Sequence, residues 1–130
     1  MATHQHPICR SMEGLPDEAL AQVAAYFQAL SEPTRLQILN LLRQQERSVG
    51  ELAQLCGHSS ANISRHLALL TQHGLVARES RGNSAIYSIA DKSVYALCDL
   101  VCGSIARRFE RTAQERAAFV TPATKRARSR

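Results

Sequence analysis

The sequence predicts a mainly helical fold closed by a small β-hairpin, and three observations carry that prediction. Apolar residues recur at helical spacing repeatedly between Leu20 and Leu70, and again from Val94 to Phe109. Between Leu75 and Ile89 the pattern changes to short strand-like runs on either side of Arg81-Gly82-Asn83-Ser84. A chain of 130 residues with 45% hydrophobic content has the size of one domain and enough apolar side chains for a core. That composition excludes a disordered chain.

Residues 1–15 show no apolar period and contain Pro7 and Gly14, which predicts a mobile N-terminal arm. Pro16, then Asp17 and Glu18, marks a helix start, since carboxylates suit the positive end of a helix dipole. Leu20, Val23, Ala24, Phe27 and Leu30 continue it as an amphipathic helix over 16–30. Ser31-Glu32-Pro33 ends that helix and begins a second. Its Leu36, Ile38, Leu39, Leu41 and Leu42 cover more than one face and predict extensive burial. Ser48 and Glu51 have the spacing of a capping box at the head of a short helix, with Leu52, Leu55 and Cys56 inward and Gly57 as its stop. A further helix runs from Ser59 or Ser60 to His73, ended by Gly74, with Ile63, Leu67 and Leu70 as its inner stripe. Strands are expected at 75–80 and 85–89, joined by the 81–84 turn, with Tyr87 and Ile89 alternating inward. Asp91 opens a last helix reaching about Phe119, with Val94, Cys98, Val101, Cys102, Ile105 and Phe109 on one stripe. The domain is expected over 16–119, and residues 120–130 as a disordered basic tail.

The formal charge is +5, but Lys125, Arg126, Arg128 and Arg130 supply four of those charges, so the basic balance is mostly a property of the tail. With 5% aromatics and no Trp, stacking platforms for single-stranded nucleic acid are not expected. No apolar run has the length of a membrane span, and the N-terminus lacks a signal-peptide pattern. A cytoplasmic location follows as the expectation, with no membrane partner. Cys9, Cys56, Cys98 and Cys102 are then expected as reduced thiols rather than a disulfide framework. No nucleophile–base set or phosphate loop appears, so an enzyme is not expected and no cofactor is required.

A short helix, a tight turn, a second helix and a hairpin make the layout of a winged helix-turn-helix. Ala53 is small where the helices would cross, and Gly57 stands four residues later where the turn needs a positive φ. Leu52, Cys56, Ile63 and Leu67 close the core between them, which reads Cys56 as a packing residue. Opposite the inner stripe lie Ala61, Arg65, Ala68 and Gln72, flanked by Asn62 and Ser64. That short polar face suits the major groove of double-stranded DNA. Arg65 matches guanine O6/N7, Asn62 matches adenine, and the Ala61 methyl a thymine methyl. Ser59 and Ser60 fit phosphate contacts at the helix N-terminus. Arg81 is the expected wing contact, whereas Arg78 reads equally as a surface strand charge. His66, on the inner flank, reads as a packed histidine.

Ala29-Leu30-Ser31-Glu32-Pro33-Thr34-Arg35-Leu36-Gln37-Ile38-Leu39 resembles the second-helix signature of the arsenic-resistance repressor (ArsR/SmtB) family. Ser60-Ala61-Asn62-Ile63-Ser64-Arg65-His66-Leu67-Ala68-Leu69-Leu70 is similar to that family's recognition helix. The resemblance spans about residues 16–110. It implies a homodimeric winged-helix repressor whose first and last helices pair the subunits, released from operator DNA by a metal, metalloid or reactive sulfur species. The chain departs from two of the family's effector patterns. Thiols near Ser48 and Gly50 are missing, and no histidine follows His73 on the last helix.

Cys98 and Cys102 remain, at i and i+4 with Cβ atoms about 6 Å apart. One reading makes them small apolar residues of the dimer stripe. The other makes them soft ligands for a thiophilic ion. The family's trivalent arsenic and antimony sensors use cysteines on this helix, which implies As(III) or Sb(III) as effector, with Cys9 as a third thiolate. His4 and His6 beside Cys9 also admit zinc or nickel. The alternatives are a repressor sensing persulfide or oxidant through the same cysteines, and a constitutive DNA-binding or protein-interaction winged helix without effector.

Overall fold

The computed structural model describes residues 11–111 and Phe119. Cys9, the 112–118 stretch of the expected last helix and the basic tail lie outside the described residues. The chain divides after Ile89 into two compact units.

The first unit begins with α1 (Asp17–Ala29), preceded by Pro16 in extended backbone and carrying Asp17 and Glu18 in its first turn. α2 (Pro33–Gln44) has Pro33 at its first position, where the missing N–H costs nothing. The Glu32 carboxylate caps it, accepting from the backbone N–H of Thr34 at 2.7 Å and of Arg35 at 3.2 Å. α2 is less buried than its leucine count predicts. Thr34, Ile38, Leu39 and Leu42 turn inward, but Leu36 is 40% exposed. Two residues from Ile38 at 100° each puts Leu36 on the opposite side. Counting apolar residues without their phase overstates burial.

A two-residue strand, β1 (Arg47–Ser48), follows and was not expected, being too short to show alternation. Ser48 then caps α3 (Val49–Cys56). Its hydroxyl accepts from the Glu51 N–H at 3.1 Å, and Glu51 accepts from the Ser48 N–H at 2.8 Å, completing the expected capping box. Gly57 ends α3 at φ 73°, a conformation in which an L side chain is strained. Ser59 caps α4 (Ser60–Gln72), and Ile63, Leu67 and Leu70 on that helix are fully buried. The hairpin is β2 (Val76–Arg81), shifted one residue from the expected strand, and β3 (Ser84–Ile89), one residue longer than expected, because Arg81 and Ser84 pair as strand residues. Only Gly82 and Asn83 make the turn, with glycine first and at positive φ as a II′ turn requires. The antiparallel sheet is ordered β1-β3-β2, with Arg47 opposite Tyr87 and Ser48 opposite Ile86. Tyr87 is buried as expected, and Ile89 is half-buried.

In the second unit Asp91 precedes the last helix rather than opening it. Its carboxylate accepts from the Ser93 backbone N–H at 3.0 Å and hydroxyl at 2.6 Å, which holds the Asp91 carboxyl below the ordinary range. α5 (Ser93–Arg108) then gives way to a 3₁₀ turn at Phe109–Arg111. Among the described residues, no helix is long and apolar enough to cross a membrane.

Candidate nucleic-acid interface and thiol pair

The rotation of α4 about its axis is fixed by Ile63, Leu67 and Leu70, all without solvent exposure. Each such side chain contributes about 1.5–3 kcal/mol by leaving water, so a turned helix is strongly disfavoured. The opposite face is thereby committed to solvent. Ser60, Ala61, Ser64, Arg65, Ala68 and Gln72 are exposed and Asn62 is half-exposed, as the sequence predicts. Ser59 is exposed too, but its Oγ already accepts from the Asn62 N–H at 3.1 Å. Only its hydroxyl proton is left to meet a phosphate.

Arg35 fixes the helix from behind. Its Nε donates to the Ala29 carbonyl at 2.7 Å and its Nη2 to the Gln28 carbonyl at 3.1 Å, satisfying the open end of α1. Its Nη1 donates to His66 Nδ1 on α4 at 3.1 Å. His66 therefore receives a hydrogen bond at Nδ1, beyond the packing role expected of it. Burial lowers its pKa, opposed by Glu32, whose Oε1 lies 3.9 Å from Nε2. Burial alone would raise the Glu32 carboxyl, but the Arg35 and Thr34 N–H groups outweigh it, and the group sits below its usual value.

On the exposed side, Arg65 Nη2 donates to Asn62 Oδ1 at 2.9 Å. Asn62 Nδ2 faces His58 Nδ1 at 3.2 Å, and His58 Nε2 faces the Thr34 hydroxyl at 3.3 Å. His58 was missed by sequence reasoning, because Thr34 lies far from it along the chain.

The wing departs from a free cation. Arg81 donates to both oxygens of Glu46, at 2.5 and 3.1 Å, and to Glu79 at 3.0 Å. These bonds raise the arginine further above its already high pKa, and the Arg81 bond holds Glu46 low. Glu46 was also missed, since nothing local marks it as the partner of the turn.

Cys98 is half-buried on α5, and Cys102, one turn on, is exposed. Cys56 is half-buried, and desolvation pushes its thiol up, which keeps it protonated and suits the packing role. Among the described residues, no three His, Cys, Asp or Glu side chains gather as a metal site. Cys9, the expected third thiolate, lies outside the described residues.

The profile described as "Bacterial regulatory protein, arsR family" matches residues 32–78, from the α2 cap into the wing. The chain is 40% identical over 85 residues to the uncharacterised HTH-type transcriptional regulator Rv0081 of Mycobacterium tuberculosis, covering 65% of this chain and 75% of that protein. The crystal structure of Rv0081 superposes with a TM-score of 0.69 at 34% identity, over 75% of this chain and 99% of that one. The solution structure of the homodimeric winged helix-turn-helix DNA-binding domain of Mb0332 from Mycobacterium bovis gives a TM-score of 0.65 at 36% identity, over 77% and 95%. A Streptomyces lividans protein named "probable mercury resistance operon repressor" is 35% identical over 71 residues, 55% of this chain and 57% of that protein.

Proposed function

This chain belongs to the ArsR family of winged helix-turn-helix transcriptional regulators, and on that premise we propose that it is a homodimeric repressor released from an inverted-repeat operator by trivalent arsenic or antimony. The DNA-reading part rests on the exposed face of α4, with Ala61, Asn62, Ser64 and Arg65 at base edges, Ser59 and Ser60 at phosphates, and Arg81 on the wing. The effector part rests on one observation. Cys98 and Cys102 stand one turn apart on α5, and the second is open to solvent. Two thiolates so spaced favour a soft ion over hard or borderline ones. The mercury named in one relative is of the same soft class. Cys9 is the proposed third ligand.

A ligand shifts an equilibrium only by its differential affinity, so the released dimer must hold the metalloid more tightly than the DNA-bound dimer. A coupling of about 1–3 kcal/mol weakens DNA binding roughly 5- to 150-fold. A second reading, persulfide sensing by the same pair, needs no third donor and rests on Cys98 and Cys102 alone. The test titrates protein–operator complexes with arsenite, antimonite, zinc and an organic persulfide in parallel under defined reducing conditions. Arsenite or antimonite should release wild type and leave the Cys98→Ser/Cys102→Ser variant bound. Normal release from that double variant ends both readings, and release of wild type by persulfide alone replaces the first with the second.

A further inference from the structure

The polar chain from α2 to the exposed face of α4 has a direction, and it runs through a residue with no part in the proposal above. His58 is the first residue after the left-handed Gly57. Both backbone N–H groups donate to the Ala53 carbonyl, at 2.9 Å from Gly57 and 3.0 Å from His58, so the α3 terminus sets where the imidazole begins. The ring then stands between Thr34, a residue only 8% exposed, and Asn62.

Hydrogen-bond chemistry orders the chain. The Asn62 Nδ2 group only donates, so His58 Nδ1 must offer its lone pair, and the ring proton sits on Nε2, where it donates to the Thr34 hydroxyl oxygen. With its NH₂ committed to the histidine, Asn62 turns its Oδ1 toward α4, and that oxygen accepts from Arg65 Nη2. Were the amide reversed, its NH₂ would face the guanidinium, donor against donor. The bidentate adenine contact expected of Asn62 needs both Oδ1 and Nδ2, and here each already has a protein partner.

We propose that His58 is a positioning residue for base recognition: by fixing the Asn62 amide, it holds the Arg65 guanidinium in the orientation presented to a base edge. Asn62 then acts chiefly through Arg65, and the wall behind it is the buried Thr34 of α2. This rests on α4 being the reading helix, and the Arg65 variant tests that premise separately.

The experiment selects a preferred duplex from a random library with the wild-type protein. It then measures binding to that duplex, to its single base-pair variants and to a scrambled duplex. Arg65→Ala should flatten the preference at one base position, a loss on the order of tenfold in discrimination or more. His58→Ala should lose most of the same discrimination at the same position, with scrambled-duplex affinity unchanged, and should add little to Arg65→Ala in the double variant. His58→Asn places an acceptor oxygen where Nδ1 stood and should restore the preference. Equal loss on every sequence, or additive effects in the double variant, or failure of His58→Asn to restore what His58→Ala lost, overturns the inference. If Arg65→Ala leaves every preference intact, the reading of α4 falls and this inference with it.

Discussion

Arg35 joins the end of α1, the start of α2 and the middle of α4 through three donors, and this depends on His66 remaining neutral to accept one of them. Burial, the first cause, pulls the His66 pKa below its ordinary 6.5, the charges of Arg35, His58 and Arg65 act the same way, and only Glu32 opposes. Folding thus favours the neutral ring, and the unfolded chain takes up the proton first. The resulting stability is fully present above about pH 6.5 and is lost as pH falls from there through the folded value. Glu32, Glu46 and Asp91, all held below their ordinary values, add stability that is lost only at lower pH, as their carboxylates protonate through their folded values. Urea midpoints measured against pH should therefore fall in two stages. His66→Asn keeps an acceptor near the Nδ1 position but cannot titrate, so it should remove the upper stage and leave the lower. An unchanged upper stage in that variant would assign it to another group.

At the scale of elements, the wing carries its cation already paired. Arg81 and Glu46 have side chains 48% and 45% exposed, and an exposed pair competes poorly with a phosphate for the guanidinium. Glu46→Gln should leave Arg81 readier to meet the backbone. Affinity for scrambled duplex should rise modestly, and the slope of log affinity against log salt should steepen by less than about one, since Glu79 still holds Arg81. If neither changes, while Arg81→Ala is also silent, the wing does not touch DNA through this residue. The sequence made the hairpin legible because glycine placement and alternation are local signals, but not the Glu46 partner, which is a matter of tertiary distance. The same division runs through the fold. Ser48 with Glu51, Gly57, and Ser59 announce α3 and α4 by chemistry within four residues. β1 exists only because Arg47 and Ser48 pair with Tyr87 and Ile86 of β3, so no window around those two residues reveals it. On α4 the outward residues were legible because a fully buried stripe determines its opposite face. What was not legible is that Asn62 is engaged on both ends of its amide, since His58 reaches it through the turn.

At the scale of the molecule, one α4 spans only a few base pairs, and a twofold dimer would set two of them on half-sites about 34–36 Å apart. Each unit separately leaves large apolar side chains in solvent. In the first, Leu20 and Phe27 on α1 are 39% and 48% exposed; in the second, Leu100 and Val101 on α5 are 72% and 49% exposed. Large apolar side chains left in solvent favour self-association, and the solved Mb0332 domain is homodimeric. The expected outcome is a wild-type dimer in sedimentation and a footprint of two inverted half-sites. Leu100→Glu with Val101→Glu changes only exposed positions, so the monomer should stay folded while the dimer dissociates. Its affinity for a duplex carrying one half-site should barely change. Its affinity for the two-site duplex should fall about 10²- to 10⁴-fold, the gain that effective concentration supplies when two heads are joined. Phe27→Glu makes the same test on α1, and dissociation by one variant but not the other tells which helix carries the contact. Wild type bound as a monomer to a single asymmetric half-site would overturn the dimer. It would also remove the lever by which thiol chemistry on α5 could reach DNA, because a change confined to one monomer has no second head to misalign.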